Sequence, residues 1–152
     1  MAGAFLNMHT TDGIILKKTD TGEADIFFTM YTKDFGKIRA FAQGIKKEGA
    51  KLRGHLEPLS VSKISFVLGR NGERLTHANL IYFWPAIRGT SEKLKAAHRI
   101  AEHADAQCLP GQKDECVWSL LMESFLVLEK GAYSEEIAER FETRLAKCLG
   151  TA

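Results

Sequence analysis

A chain of 152 residues, 45% hydrophobic and 26% charged with a net charge of +2, has the length and composition of one compact soluble domain or two small ones. No apolar run is long enough to cross a bilayer, and the opening MAGAFLNMHTTDG lacks the basic and apolar regions of a secretory signal. The charge is uneven: Lys33 to Arg53 alone carries 7 basic and 2 acidic residues, a concentration that attracts an anionic polymer more than it reports on fold.

The first half reads as strands. GIILKK (13–18), DIFFTMYT (25–32), IRAFAQG (38–44), VSKISFVL (61–68) and RLTHANLIYFW (74–84) are rich in Ile, Val, Phe and Thr and are separated by Gly, Asn and Asp. Asn71-Gly72 suits a tight hairpin between the last two. Five strands in so short a stretch suggest a small closed barrel, for which the five-stranded OB fold is a common solution.

In the third strand, alternation puts Ile38, Ala40 and Ala42 on one side and Lys37, Arg39, Phe41 and Gln43 on the other. Cations beside an aromatic ring suit single-stranded nucleic acid, because they neutralise phosphates while the ring stacks an unpaired base. The alternative is a solvated face with Phe41 packed away. The loop that follows, GIKKEGAKLRGHLEP, adds Lys46, Lys47, Lys51 and Arg53, with His55 close by. Six cations could then form one stripe, or the loop could be solvated by its lysines. GRNG (69–72) is read as a hairpin turn, near which Arg70 and Arg74 could extend the basic surface.

From Thr90 the period lengthens to that of helices. Thr90 or Ser91 can cap a helix reaching about Leu109, with Leu94, Ala97, Ala101 and Ala104 on one stripe, and Pro110-Gly111 ends it. Asp114 can cap ECVWSLLMESFLVLEK, which is apolar nearly all round and so is either the centre of a bundle or a docking surface. Ser134 opens a third helix, with Ile137, Ala138, Phe141, Leu145 and Leu149 in register, closed by Gly150. The expected fold is therefore α+β: an OB barrel over 1–85 and a small all-helical part of about three helices over 90–152.

Enzyme chemistry finds little here. His98 and His103 are five apart and diverge on a helix, and there is no GxSxG elbow, Walker loop or dinucleotide fingerprint. The expectation is no catalysis, no cofactor, no metal and no small-molecule substrate. Cys108, Cys116 and Cys148 lack CxxC spacing and are expected as three free thiols in a reducing cytoplasm, Cys116 in the core.

Several stretches together resemble the bacterial recombination mediator family RecO. They are GIILKKTDTGEAD with IFFTMYTKDFGKIRAFAQG, KKEGAKLRGHLEPLS with its L-E-P signature, ANLIYFWPAIR, and the tail ERFETRLAKCLG. The resemblance spans nearly the whole chain and is most specific over 13–60. It implies an N-terminal OB fold joined to helices, and a protein that binds single- and double-stranded DNA and anneals complementary strands. It further implies work with RecR and the single-strand-binding protein to load a recombinase, in the cytoplasm at the nucleoid. Carried over, the DNA-facing residues are Lys37, Arg39, Phe41, Lys46, Lys47, Lys51 and Arg53. The family usually continues past the third helix, often with a four-cysteine zinc site, so the chain is expected to be a short form, natural or a fragment, without that segment. The rival reading is a non-catalytic adaptor, whose apolar helix docks a partner and whose basic loop receives an acidic tail.

Overall fold

The computed structural model describes residues 8–22, 25–42, 52, 54–69 and 72–151. They fall into two compact units. One runs through Phe83 and takes in Pro110–Lys113; the other comprises Trp84–Leu109 and Asp114 onward. No helix among the described residues is long and apolar enough to cross a membrane.

The first unit is a closed barrel of five strands: β1 (Met8–Asp20), β2 (Ile26–Thr32), β3 (Gly36–Ala42), β4 (Val61–Gly69) and β5 (Gly72–Tyr82). Around the barrel they run β1-β2-β3-β5-β4, with β4 returning to β1, which is the OB arrangement. β1 pairs with β4 through its first half and with β2 through its second. A bulge between Ile15 and Lys17 marks the change of partner and supplies the bend that closure needs. The inward positions make one core that includes Ile15, Phe28, Met30, Ile38, Ala40, Ile64 and Phe66. Each fully buried Ile, Phe or Met among them contributes roughly 1.5–3 kcal/mol.

The L-E-P stretch is part of this core. Leu56 lies in the barrel interior, and Leu59 is buried with φ of 73°. The Leu59 N–H donates to the Ile15 carbonyl at 2.7 Å, and the Ile15 N–H donates to the Ser60 carbonyl at 3.0 Å. His55 is an anchor as well: its Nδ1 accepts the Leu80 N–H at 2.9 Å, and its carbonyl accepts the Ser62 hydroxyl.

At the β2–β3 turn, Thr32 Oγ1 accepts the Phe35 N–H at 3.0 Å and donates to the Gly36 carbonyl at 2.8 Å. Gly36 has φ of +66°, and a Cβ built there would lie 2.2 Å from the Gln112 carbonyl oxygen. The reason is that Pro110 bridges to Lys37 and the Gly111 N–H donates to the Lys37 carbonyl at 2.9 Å. Pro110–Gly111, expected only to end a helix, thus also supplies hydrogen bonding along β3.

The second unit contains α1 (Pro85–Gly89), α2 (Ser91–Gln107), α3 (Glu115–Lys130) and α4 (Ser134–Leu149). α1 is too short to show a period in the sequence. Its Ala86 and Ile87 N–H groups donate to the Glu129 carboxylate at 3.0 and 2.8 Å. Thr90 precedes α2 without a side-chain cap, whereas Asp114 caps α3 by accepting from Cys116 and Val117. α4 packs on both α2 and α3. The core holds Ala97, Ile100 and Ala104 of α2, Val117, Leu121, Phe125 and Leu128 of α3, and Phe141 and Leu145 of α4. Leu94, placed on the stripe by spacing, is only half-buried, and Ile100 takes the inner position.

The thiol expectation is overturned. Cys116 and Cys148 form a disulfide, with Cα atoms 5.6 Å apart, and Cys108, which is buried, stays a thiol. Cys116 is exposed rather than core. The two are 32 residues apart, and only the antiparallel return of α4 along α3 joins them, so no local spacing could reveal the pair.

Two outcomes follow from this architecture. Gly36→Ala should lower stability to urea by clearly more than about 1 kcal/mol, since it adds a positive-φ penalty to a backbone clash; an unchanged midpoint would show that the turn relaxes freely. The second concerns Glu142, which receives a two-armed contact from Arg99, one arm at 3.1 Å. This hydrogen bond, opposed by desolvation, holds the Glu142 carboxyl below its ordinary 4.5. A carboxyl lowered on folding stabilises the fold above the ordinary value and loses that contribution as pH falls through the lowered one. Arg99→Met should therefore flatten the acid limb of a stability–pH profile and leave its slope near neutrality unchanged.

Candidate nucleic-acid interface

Strand pairing carries the alternation of β3 across the barrel surface. Ile38, Ala40 and Ala42 point into the core, while Lys37 and Phe41 are half-buried and Arg39 is exposed on the outer side. Residues directly opposite one another on paired strands share a face. In β2, Ile26, Phe28 and Met30 are core residues, so Phe27, Thr29 and Tyr31 face outward.

The registers then line up two rows. Thr19 of β1, Phe27 of β2 and Phe41 of β3 are successive cross-strand neighbours, and Phe41 pairs with Arg74 of β5. Beside it runs Lys17, Thr29 and Arg39. A third pair, Tyr31 with Lys37, lies at the end of the face where Tyr31 is buried. The open part of the face is therefore the part carrying Phe27 and Phe41, with the exposed Lys17, Arg39 and Arg74 around them.

The aromatic centre has a defined geometry. The Phe27 and Phe41 rings lie 5.8 Å apart and are tilted by 48°. The Arg39 guanidinium sits over the Phe27 ring, 4.0 Å from its centroid. That position is attractive to a cation because the ring face is electron-rich, and it restricts a side chain that would otherwise sample many rotamers. Partly exposed aromatic rings with cations beside and over them can stack bases while the cations meet the backbone.

Of the sequence-derived candidates, the structure brings Lys37, Arg39 and Phe41 onto one face. Lys46, Lys47, Lys51 and Arg53 lie outside the described residues, as do Arg70 and Asn71. Sequence reasoning missed Phe27 and Lys17. Phe27 was hidden because DIFFTMYT is apolar at almost every position; only the pairing of Phe27 with Phe41 shows which of the two adjacent phenylalanines faces out. Lys17 follows the bulge, which resets the alternation of β1.

Residues 6–84 match the family described as Recombination protein O N terminal. Curated relatives named DNA repair protein RecO include that of Pelotomaculum thermopropionicum, 28% identical over 95% of this chain and 56% of its own length. That of Moorella thermoacetica is 29% identical over 93% and 52%. That of Dehalococcoides mccartyi is 30% identical over 92% and 55%. The chain thus spans about half the length of the curated relatives it matches.

Proposed function

The chain belongs to the RecO family, and from that membership we propose that it is a DNA-binding protein of recombinational repair, acting through the open face of its barrel. The observation that carries this reading is the Phe27–Phe41 pair with Arg39 seated over Phe27. On an OB barrel the β2–β3 face is the usual place for an oligonucleotide. Unpaired bases stack on Phe41 and, once Arg39 swings off its face, on Phe27, while Lys17, Lys37, Arg74 and the displaced Arg39 meet phosphates on either side.

The basic loop joins this surface by charge and by sequence position, since it leaves the end of β3 that carries Phe41. In this reading Lys46, Lys47, Lys51 and Arg53 supply further cations for phosphates. A chain that neutralises two backbones at once lets complementary bases meet without mutual repulsion, which is the basis for annealing. Binding of double-stranded DNA uses the same cations without the rings. Cooperation with RecR and the single-strand-binding protein in loading a recombinase completes the proposal and rests on the family resemblance. The adaptor reading has less support, because α3 commits Val117, Leu121, Phe125 and Leu128 to the helical core.

The test is fluorescence anisotropy of a labelled single-stranded oligonucleotide over a salt series. With roughly four phosphates neutralised, log affinity falls against log salt with a slope of about −3, and removing one phosphate-binding cation makes the slope shallower by about 0.7. Lys37→Ala together with Arg39→Ala should change the slope by about twice that step. Phe41→Ala should weaken binding about 5- to 150-fold, the range expected for one base stack, and leave the slope unchanged. Affinity that ignores salt, or variants that bind as the parent does, would refute the site. Reversing Lys46, Lys47 and Lys51 to Glu should abolish strand annealing at low salt; annealing at the parental rate would remove the loop from the proposal.

A further inference from the structure

The Cys116–Cys148 disulfide has no part in the DNA-binding face. Its setting is chemically asymmetric. Cys116 is in the first turn of α3, where the helix dipole favours negative charge, although the Asp114 carboxylate already accepts the Cys116 and Val117 N–H groups. Cys148 is in the last turn of α4, where the same dipole disfavours it. Both cysteines line a groove of about 350 Å³ together with Ser119, Glu123, Arg144 and Lys147. Glu123 and Arg144 are engaged with each other at 3.1 Å, which leaves Lys147 as the other cation of that groove. The helix dipoles favour a thiolate at Cys116 while Lys147, adjacent to Cys148, favours one there, so either sulfur can leave.

The bond also has mechanical leverage. It fastens the start of α3 to the end of α4 and so closes both helices into one loop. The inner residues of α4, Ala138, Phe141 and Leu145, stop one turn short of Cys148. Beyond Leu145 the helix is only partly buried or exposed, with Ala146 and Leu149 half-buried, and the disulfide adds a covalent attachment to its last turn.

We propose that Cys116–Cys148 is a reversible thiol–disulfide clasp that senses the redox state of its surroundings. In the reducing direction, a glutathione-type thiolate attacks one of the two sulfurs, the sulfur–sulfur bond breaks and the other cysteine leaves as thiolate. A second thiol then resolves the mixed disulfide. Both cysteines end as thiols, and two reductant thiols become one disulfide. Oxidation by a disulfide of the same class runs the exchange backwards. A protein that handles DNA works among reducing thiols, where lasting disulfides are rare and the exceptions are mostly catalytic or sensory. That last point rests on the DNA-binding reading; the groove, the exposure of Cys116 and the helix-end asymmetry do not.

The experiment equilibrates the whole chain in glutathione buffers, from fully reduced to fully oxidised ratios. Thiols are then alkylated after denaturation and counted by mass spectrometry. The oxidised chain should label only Cys108 and the reduced chain all three cysteines, with the change falling inside the buffered range and reversing on back-titration. Reduction should lower the thermal midpoint of the helical unit by on the order of 10 °C. It should also speed amide exchange in the first turn of α3 and the last turn of α4, with exchange in the barrel unchanged. Cys116→Ser and Cys148→Ala should each behave as the reduced parent. A pair that stays oxidised at the most reducing ratio is a permanent structural bond, and a pair that never forms is no clasp; either result overturns the proposal. So does reduction that changes neither midpoint nor exchange. None of these readouts involves DNA, so failure of the clasp and failure of the DNA-binding site are separate results.

Discussion

The barrel closes through a narrow joint. Among the described residues β3 pairs in parallel with β5 at two positions, Ala40 with Glu73 and Phe41 with Arg74, whereas the other seams are longer antiparallel ladders. The remaining length of β3 would present unpaired backbone groups, which are costly when shielded from water. Pro110–Gly111 answers part of that need at Lys37, and it approaches so closely that position 36 has room only for glycine. The F-G-K turn is thus a consequence of barrel closure before it is anything functional.

The same joint sets the candidate interface. Because Phe41 is held in register with Phe27 on one side and Arg74 on the other, the aromatic pair and its cationic rim occupy one continuous stretch of surface. Moving β3 by one residue would turn Phe41 and Arg39 inward and bring Ala40 and Ile38 out. The buried alanines are needed for the opposite reason: small inward residues let β3 approach a core already filled by Phe28, Met30 and Phe66. Structural and functional demands on β3 are separated by the pleat, one face for each.

Most of the strand and helix order was legible because it rests on local period. The alternation of β3 alone sets Lys37, Arg39 and Phe41 on one face, and Asp114 announces α3 by a cap it does make. What escaped depended on partners distant in sequence. Phe27 could be told from Phe28 only through the register with β3. L-E-P looked like a family mark and is a plug, with Leu56 in the barrel core and Leu59 bonded to Ile15. The disulfide needed α3 and α4 to fold back on each other before Cys116 met Cys148. His55, counted with the loop's positive residues, instead tethers that loop's end to β5.

Photocrosslinking tests the central claim most directly. A single-stranded oligonucleotide carrying bromodeoxyuridine, bound at low salt and irradiated, joins the rings that its bases touch, and peptide mapping then reads the positions. The account predicts adducts on the β2 and β3 peptides, at Phe27 and Phe41, which disappear when salt displaces the DNA. Adducts confined to the helical unit would contradict it, as would binding that yields none on either phenylalanine, because the DNA would then lie on a surface other than the open face of the barrel.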